Sequence, residues 1–394
     1  MKTIKLFFVY LLLSNTTFAQ YNWISRHDFG GFTRYSSSFF TINQVGYAGL
    51  GYDGVAHSDW WQYDDLSDTW TQKATFPGAA RWSTQYFSIG NLGYIVNGTS
   101  GSYLNDCYSY DPIANSWTQL NNFSGPTRQD AYSFSINGKG YLTCGYSSIY
   151  RSDLWEYDPQ SDTWMQKSNF PGGARDGVAG FVINDIAYVG IGYKSGINYT
   201  DFYAYDPIND TWTQVSDFPG APRNSASGFS INNKGYCGIG YDANSTYYND
   251  FYEYNPASDS WSSITQFPVK GRTYPFSFVV NNRGFVGTGK NVTTASTYHR
   301  DVYMLEVPNI GVDEINNSIS IKWITNGDEV ICNYDLITGV NGSIKIYDVN
   351  TKLTYEEKLN KSGIIRIPRN EFSDAIYIYQ ISSQGKSKRG KILL

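Results

Sequence analysis

Six arginines recur along this chain at positions 34, 81, 128, 175, 223 and 272, in steps of 47, 47, 47, 48 and 49 residues. Six aspartates follow them, at 59, 106, 153, 201, 250 and 301. A guanidinium presents a planar fork of donors that matches a carboxylate in two parallel hydrogen bonds. That chemistry has two uses here. Each arginine pairs with an aspartate or a loop carbonyl and fixes the spacing of a repeated unit, because a buried charge needs a partner. Alternatively Arg34, Arg81, Arg128, Arg175, Arg223 and Arg272 ring a pocket and grip a carboxylate-bearing ligand or an acidic peptide loop. Occurrence in every unit favours the structural use, since a ligand rarely meets six repeats equally.

Other side chains add binding rather than catalytic chemistry. Tyr103, Tyr150, Tyr199, Tyr247, Tyr248 and Tyr298 fall in the variable segments of units two to six, and Tyr35, Trp82 and Tyr274 lie just after an arginine. Aromatic faces rimmed by Asn, Ser and Gly suit sugar rings or extended peptides. The chain has 3 His. His27, His57 and His299 map to loops on neighbouring units, with Asp28 beside the first, and are weak candidates for a metal or acid/base site, because their spacing matches no metal motif. There is no Gly-x-Ser-x-Gly elbow, His-Glu-x-x-His or phosphate loop, and the sequence calls for no cofactor.

A second marker keeps the same step: Trp at 23, 70, 117, 164, 212 and 261. Between Arg and Trp each unit reads as four short strands. An alternating stretch such as Trp82 to Ile89 leads to an Asn/Gly turn such as Asn137-Gly138. A Gly-aromatic strand follows, as in Gly140-Tyr141, then a variable loop. Next come an Asp-led aromatic strand (Asp153-Leu154-Trp155-Glu156-Tyr157), an Asp-Pro turn and the Trp strand. A sheet of this kind has two apolar faces and no core of its own, and radial stacking buries both. The spacing therefore predicts an all-β, six-bladed propeller over residues 20–307. Its last unit lacks a Trp strand, which Tyr21-Asn22-Trp23-Ile24 would supply, removing an open edge. Loops from strand four to strand one and from strand two to strand three share a face, so arginines, aspartates and variable tyrosines gather there. Loops on a rigid scaffold carry specificity.

Composition agrees. The chain holds 35 Tyr, 22 Phe, 11 Trp and 38 Gly among 394 residues, with 16% charged residues and a net charge of −5. No basic surface calls for nucleic acid. Residues 1–19 read as a signal peptide: Lys2 and Lys5 precede an apolar run from Leu6 to Leu13, and Thr17-Phe18-Ala19 offers a cleavage site. No segment is long enough for a transmembrane helix. The four cysteines, 107, 144, 237 and 332, show no paired spacing and read as buried thiols.

The Gly-aromatic start of strand two, the Asp-x-aromatic-x-Tyr-Asp-Pro segment and the spaced Trp resemble the kelch repeat family over residues 21 to about 307. In one respect the chain departs from that family. The double glycine that ends strand two becomes x-Gly (Leu50-Gly51, Cys144-Gly145, Ile191-Gly192, Ile239-Gly240), as if only the second position needed backbone freedom. The resemblance brings two enzyme types into view. Copper radical oxidases similar to galactose oxidase need a His pair and Tyr ligands that the three His do not supply. Sialic acid mutarotases use Arg and a carboxylate on an acidic sugar, and the arginine series keeps that alternative open.

Beyond a linker at 308–318 the period stops, and residues 319–394 alternate apolar and polar, as a small β-sandwich does. Ile344-Lys345-Ile346-Tyr347-Asp348, Ala375-Ile376-Tyr377-Ile378-Tyr379 and Lys391-Ile392-Leu393-Leu394 resemble the C-terminal sorting domain of the type IX secretion system. That resemblance implies a Bacteroidetes-type bacterium, contact with the secretion machinery and a secreted or outer-membrane surface location. The reading is of a non-catalytic surface protein that recognises an extracellular glycan or protein. A mutarotase-like enzyme and a structural adhesion protein are the alternatives.

Overall fold

Alternation of apolar side chains between Asn-rich turns folds each repeat into a four-stranded antiparallel sheet. We describe a computed structural model covering residues 21–292, 295–307 and the strands between Ile319 and Leu393. The signal-peptide and linker segments lie outside the described residues. Gln20–Val307 form one compact unit and the strands beyond Pro308 belong to another. The described residues are all-β, and no helix among them is long and apolar enough to cross a membrane.

Blade one consists of Ser38–Ile42, Val45–Gly49, Trp60–Asp64 and Thr69–Gln72, in sequential order. Blades two to five repeat this plan from Gln85, Tyr132, Ala179 and Ser227. The sixth sheet is ordered differently. Phe276–Val280, Arg283–Gly287 and Val302–Glu306 are followed at the outer edge by Asn22–Arg26, with Trp23 opposite Leu305. The turns joining strands one and two place both central residues at positive φ, as at Asn137 (51°) and Gly138 (74°), the geometry that suits the twist of a tight hairpin.

The core is divided among the junctions between blades. Phe40, Trp60 and Phe76 of blade one pack with Ile95, Tyr108 and Tyr110 of blade two, and the other junctions repeat the arrangement. The glycine that opens strand two makes this fit possible. A methyl group on Gly140 would overlap the ring of Phe87 in the preceding blade. Blade four carries Ala187 at that position, so the restriction is tight without being absolute.

Two belts of backbone hydrogen bonds join the blades. In the inner belt, the residue two after each arginine is left-handed and donates its N–H to its counterpart in the preceding blade. The links run Ser83→Ser36 (3.2 Å), Asp130→Ser83 (3.3 Å), Gly177→Asp130 (3.0 Å), Ser225→Gly177 (2.7 Å), Tyr274→Ser225 (3.0 Å) and Ser36→Tyr274 (3.0 Å), which closes a hoop. In the second belt, the glycine ending each strand two donates to the arginine carbonyl of the next blade, from Gly51→Arg81 (2.9 Å) round to Gly289→Arg34 (2.8 Å). These glycines have φ between 90° and 110°. Contrary to the sequence reading, the residue before each of them is left-handed too: Leu50 55°, Cys144 63°, Ile191 49° and Ile239 52°. A side chain there costs about 1–2 kcal/mol in backbone energy. Burying Leu or Ile completely contributes about 1.5–3 kcal/mol, and all four residues are fully buried. Burial outweighs strain.

The junction between blades six and one has its own clasp. Where four other blades have Asp-Pro or Asn-Pro, blade one has Asp64-Asp65. The buried Asp65 carboxylate binds Arg26 of the N-terminal strand, and Arg283 and Asn281 of blade six. Asp65→Ala is expected to lower stability by about 2–4 kcal/mol, because two cations lose a shared buried partner. A urea titration that leaves the midpoint unmoved would contradict this.

The second unit contains a three-stranded antiparallel sheet (Ile319–Asn326, Glu329–Leu336, Ser362–Pro368) and a four-stranded one in the order Leu353–Leu359, Gly342–Tyr347, Ile376–Ser383, Lys386–Leu393. Ile344 and Ile346 are buried between half-exposed neighbours, as Ile365 and Ile367 are beside the exposed Arg366. Within Gly342–Tyr347 and Ser362–Pro368 the buried isoleucines thus share one face of the strand.

Candidate functional site

The arginine side chains are turned away from the channel. All six are at most 1% exposed, and each forms a two-pronged pair with the aspartate of its own blade. In blade three the bonds from Arg128 to Asp153 are 2.8 and 2.6 Å, and in blade six those from Arg272 to Asp301 are 2.6 and 2.9 Å. One nitrogen also donates to the carbonyl that ends strand two, such as Cys144 (2.9 Å) or Leu50 (2.8 Å). Beneath each guanidinium lies a phenylalanine five residues earlier: Phe29, Phe76, Phe123, Phe170, Phe218 or Phe267, at 4.8–5.3 Å. Stacking of this kind contributes about 0.5–2 kcal/mol. The phenylalanine series keeps the 47-residue step and was legible in the sequence. Burial alone would push Asp59 and Asp153 up, but Arg34 and Arg128 more than offset it and hold both below the usual carboxylate range. The arginines thus form the internal ion pairs that repetition in every unit favoured, and the alternative of an arginine-lined pocket, with these six as ligand-binding residues, is corrected. Two positions after each arginine the backbone is left-handed, and the residues that follow the arginine, not the arginine itself, line the channel mouth.

Those successors form the channel mouth. A cavity of about 240 Å³ is lined by Tyr35, Trp82, Gln129 and Thr273, each one residue after an arginine, by Ser36, Ser83, Asp130 and Tyr274 of the inner hoop, and by Tyr241, Tyr247 and Lys290. A larger cavity of about 340 Å³ continues between the innermost strands and shares Ser36, Ser83, Asp130 and Tyr274 with the first. Residues after the strand-two glycines pair by backbone with those after the arginines, as Tyr52 does with Tyr35 and Tyr241 with Asn224. The Gly-Tyr dipeptides at 51–52, 145–146, 192–193 and 240–241 were a visible signal for these rim tyrosines.

Among the sequence candidates, Tyr35, Trp82, Tyr247 and Tyr274 line the cavity, and Tyr298 stacks on Tyr35 at 5.7 Å. Tyr103 contacts Tyr146, and Tyr150 lies between Tyr146 and Tyr193. Tyr199 and Tyr248 instead cover Arg175 (3.8 Å) and Arg223 (4.1 Å), and serve the ion pairs. The histidines are not brought together. His27 faces Asp68, His57 binds Asp53 at 2.9 Å, and His299 is half-buried, its pKa lowered by burial and by Arg272. Among the described residues no group of three His, Cys, Asp or Glu side chains is placed to hold a metal. Cys107, Cys144 and Cys237 are unbridged and buried, and burial pushes the Cys144 and Cys237 thiols up to about 12. The Cys332 side chain lies outside the described residues.

Sequence reasoning missed two carboxylates in this region: Asp130, which lines both cavities, and Asp176, which directly follows Arg175. Burial raises Asp130 to about 6, against hydrogen bonds from Ser83 and Gln129. Burial and then the charge of Asp130 raise Asp176 to about 8. A carboxyl whose pKa rises on folding contributes stability below about pH 4 that is lost as pH climbs through the folded value. Asp59 and Asp153 act oppositely, contributing above about pH 4 and losing it in acid. Wild-type stability should therefore be greatest near pH 5. Asp176→Asn should match wild type there and exceed it by about 1–3 kcal/mol at pH 9. Thermal unfolding curves at the two pH values check this, and an equal effect at both would refute it.

No family model matches the chain, and no curated protein matches it. Its fold is similar to the solved structure of YjhT, with a TM-score of 0.62 and 18% sequence identity over 72% of this chain and 99% of that one. At that identity the likeness shows the fold, a six-bladed β-propeller.

Proposed function

We propose that the protein is an exported, non-catalytic receptor that binds a sugar ring or chain end at the channel mouth. The observation that carries the reading is the mouth itself, where Tyr35, Trp82, Tyr241, Tyr247 and Tyr274 surround a cavity of about 240 Å³ whose remaining lining is largely polar. That volume lies below the roughly 300–1,000 Å³ of pockets for drug-sized ligands, which suits one ring better than a folded peptide. Aromatic faces give contact area, while Gln129, Ser83 and Thr273 offer hydrogen-bonding partners for hydroxyls.

The wider setting belongs to the same proposal. Kelch-type kinship is supported by the repeated Gly-aromatic and Asp-x-aromatic segments, and export by the residue pattern of 1–19. Ring closure by the N-terminal strand is supported by its pairing with Val302–Glu306. For a C-terminal sandwich of the sorting type, the support is two antiparallel sheets, each with a buried isoleucine row.

Glycan-array binding followed by calorimetry tests the reading. Trp82→Ala should weaken glycan binding at least about tenfold with folding intact. Absence of any glycan signal, combined with capture of a surface protein, would sink it.

A further inference from the structure

Asp130 and Asp176 belong to adjacent blades, and the charge of Asp130 bears on the ionisation of Asp176. Asp130 lines both cavities, and Asp176 holds the position that Tyr35, Trp82, Gln129 and Thr273 hold in the other blades lining the mouth. Every other acid in the repeat series has its arginine. Among the described residues, no cation acts on either member of this pair. Two neighbouring carboxyls withdrawn from water without a counter-charge are costly to ionise. A second observation also points to a ligand. The Ser36 hydroxyl, in a residue only 6% exposed, has no hydrogen-bond partner among the described residues and belongs to the lining of both cavities. Trp82, Tyr241 and Tyr274 line the same cavity as Asp130, and the negative face of a π system attracts cations.

We propose that the channel mouth is built for a ligand carrying a primary ammonium group, held between the Asp130–Asp176 carboxyls and the faces of Tyr241, Tyr274 and Trp82. This rests on the mouth being the ligand site and goes further by naming the chemical group recognised. The ammonium offers three donors, and carboxylates and a hydroxyl oxygen are acceptors that suit it. Lys290 lines the same cavity. Its amino group lies over Tyr35 (5.2 Å) and Tyr298 (6.0 Å) in blade six, and from there it can meet an acceptor at the ligand's other end.

The titratable groups facing the acids set the pH dependence. They are Tyr35, Tyr103, Tyr241 and Tyr274, of which burial pushes Tyr35 and Tyr241 up to about 12, together with Lys290 in the same cavity wall. These raised tyrosines are neutral at pH 5–7, and the two carboxyls are the groups that change state in that range. Ammonium binding therefore strengthens from pH 5 to pH 7 and releases protons.

The test uses calorimetry on the mature chain at pH 5 and pH 7, in two buffers of different ionisation heat. The probes are a glucosamine oligomer, its N-acetylated counterpart, a glucose oligomer and N-acetyl-lysine amide. The glucosamine oligomer is expected to bind at least about tenfold more tightly than the acetylated one at pH 7, with proton release. Asp130→Asn and Asp176→Asn should each remove that preference while thermal unfolding stays cooperative. Equal binding of acetylated, neutral and amino sugars would overturn the ammonium site and leave the glycan reading standing. If N-acetyl-lysine amide binds with the same pH dependence and the sugars do not, the ammonium site holds and the glycan reading falls. Binding of none of the four overturns both.

Discussion

A chain lacking residues 21–28 is expected to lose cooperative folding of the propeller altogether. Five backbone pairings between Asn22–Arg26 and Val302–Glu306 would disappear, together with the packing of Trp23 against Phe251 and Phe267 at about 5 Å. Arg26 would also be removed from the Asp65 clasp. What remains is a bare strand at the outer edge of blade six. A domain's net stability is only about 5–15 kcal/mol, and losing a strand with a half-buried tryptophan takes most of that. An open solenoid could fray and survive, because its repeats contact only their neighbours. This ring cannot, since opening one junction releases both belts of hydrogen bonds there. Limited proteolysis and circular dichroism of the truncated chain check the expectation, and a synthetic peptide of residues 21–28 added in trans should restore protection by strand addition. A protease-resistant, cooperatively unfolding truncation would show that the strand is dispensable.

Arg128→Ala should be the most damaging single substitution in blade three, at about 3–5 kcal/mol. It strands the Asp153 carboxylate and leaves the Cys144 carbonyl without its donor and Phe123 without its cation. Replacing both partners by apolar residues, Arg128→Met with Asp153→Leu, should be milder than the single change, because no lone charge is left behind. Urea midpoints of the three chains decide the matter. Sugar binding by whatever fraction remains folded should be unaltered. An Arg128→Ala protein of normal stability that fails to bind would restore the arginines to the ligand site.

What the sequence disclosed depended on periodicity. Arg and Trp at a common step determine blade number, strand order and the face that carries the variable loops, because those follow from spacing alone. The partner of each arginine was legible as one of two alternatives. Spacing could not decide between them, since both uses place the guanidinium near the same turn and differ only in which way it points. The turn that follows carries a left-handed residue two positions later, filled by Ser, Ser, Asp, Gly, Ser and Tyr at 36, 83, 130, 177, 225 and 274. No residue type marks it consistently. Asp130 and Asp176 escaped notice for the opposite reason. They occur once each at positions where other blades carry different residues, and a singular residue inside a repeat has no periodic signature. The hidden glycine-like position before Gly51 and its counterparts was masked by side chains whose burial repays the strain.

The inner hoop also acts as a gauge. Its six amides all point the same way round, each reaching the carbonyl of the blade before it, so the circle has a direction and no end. A loss of one repeat would squeeze the circle and a gain would stretch it. Either change would alter every link at once and could not be absorbed at the site of insertion. Repeat number is thus held by the innermost six residues, and a lineage that duplicates a blade must re-form its axis along with its rim.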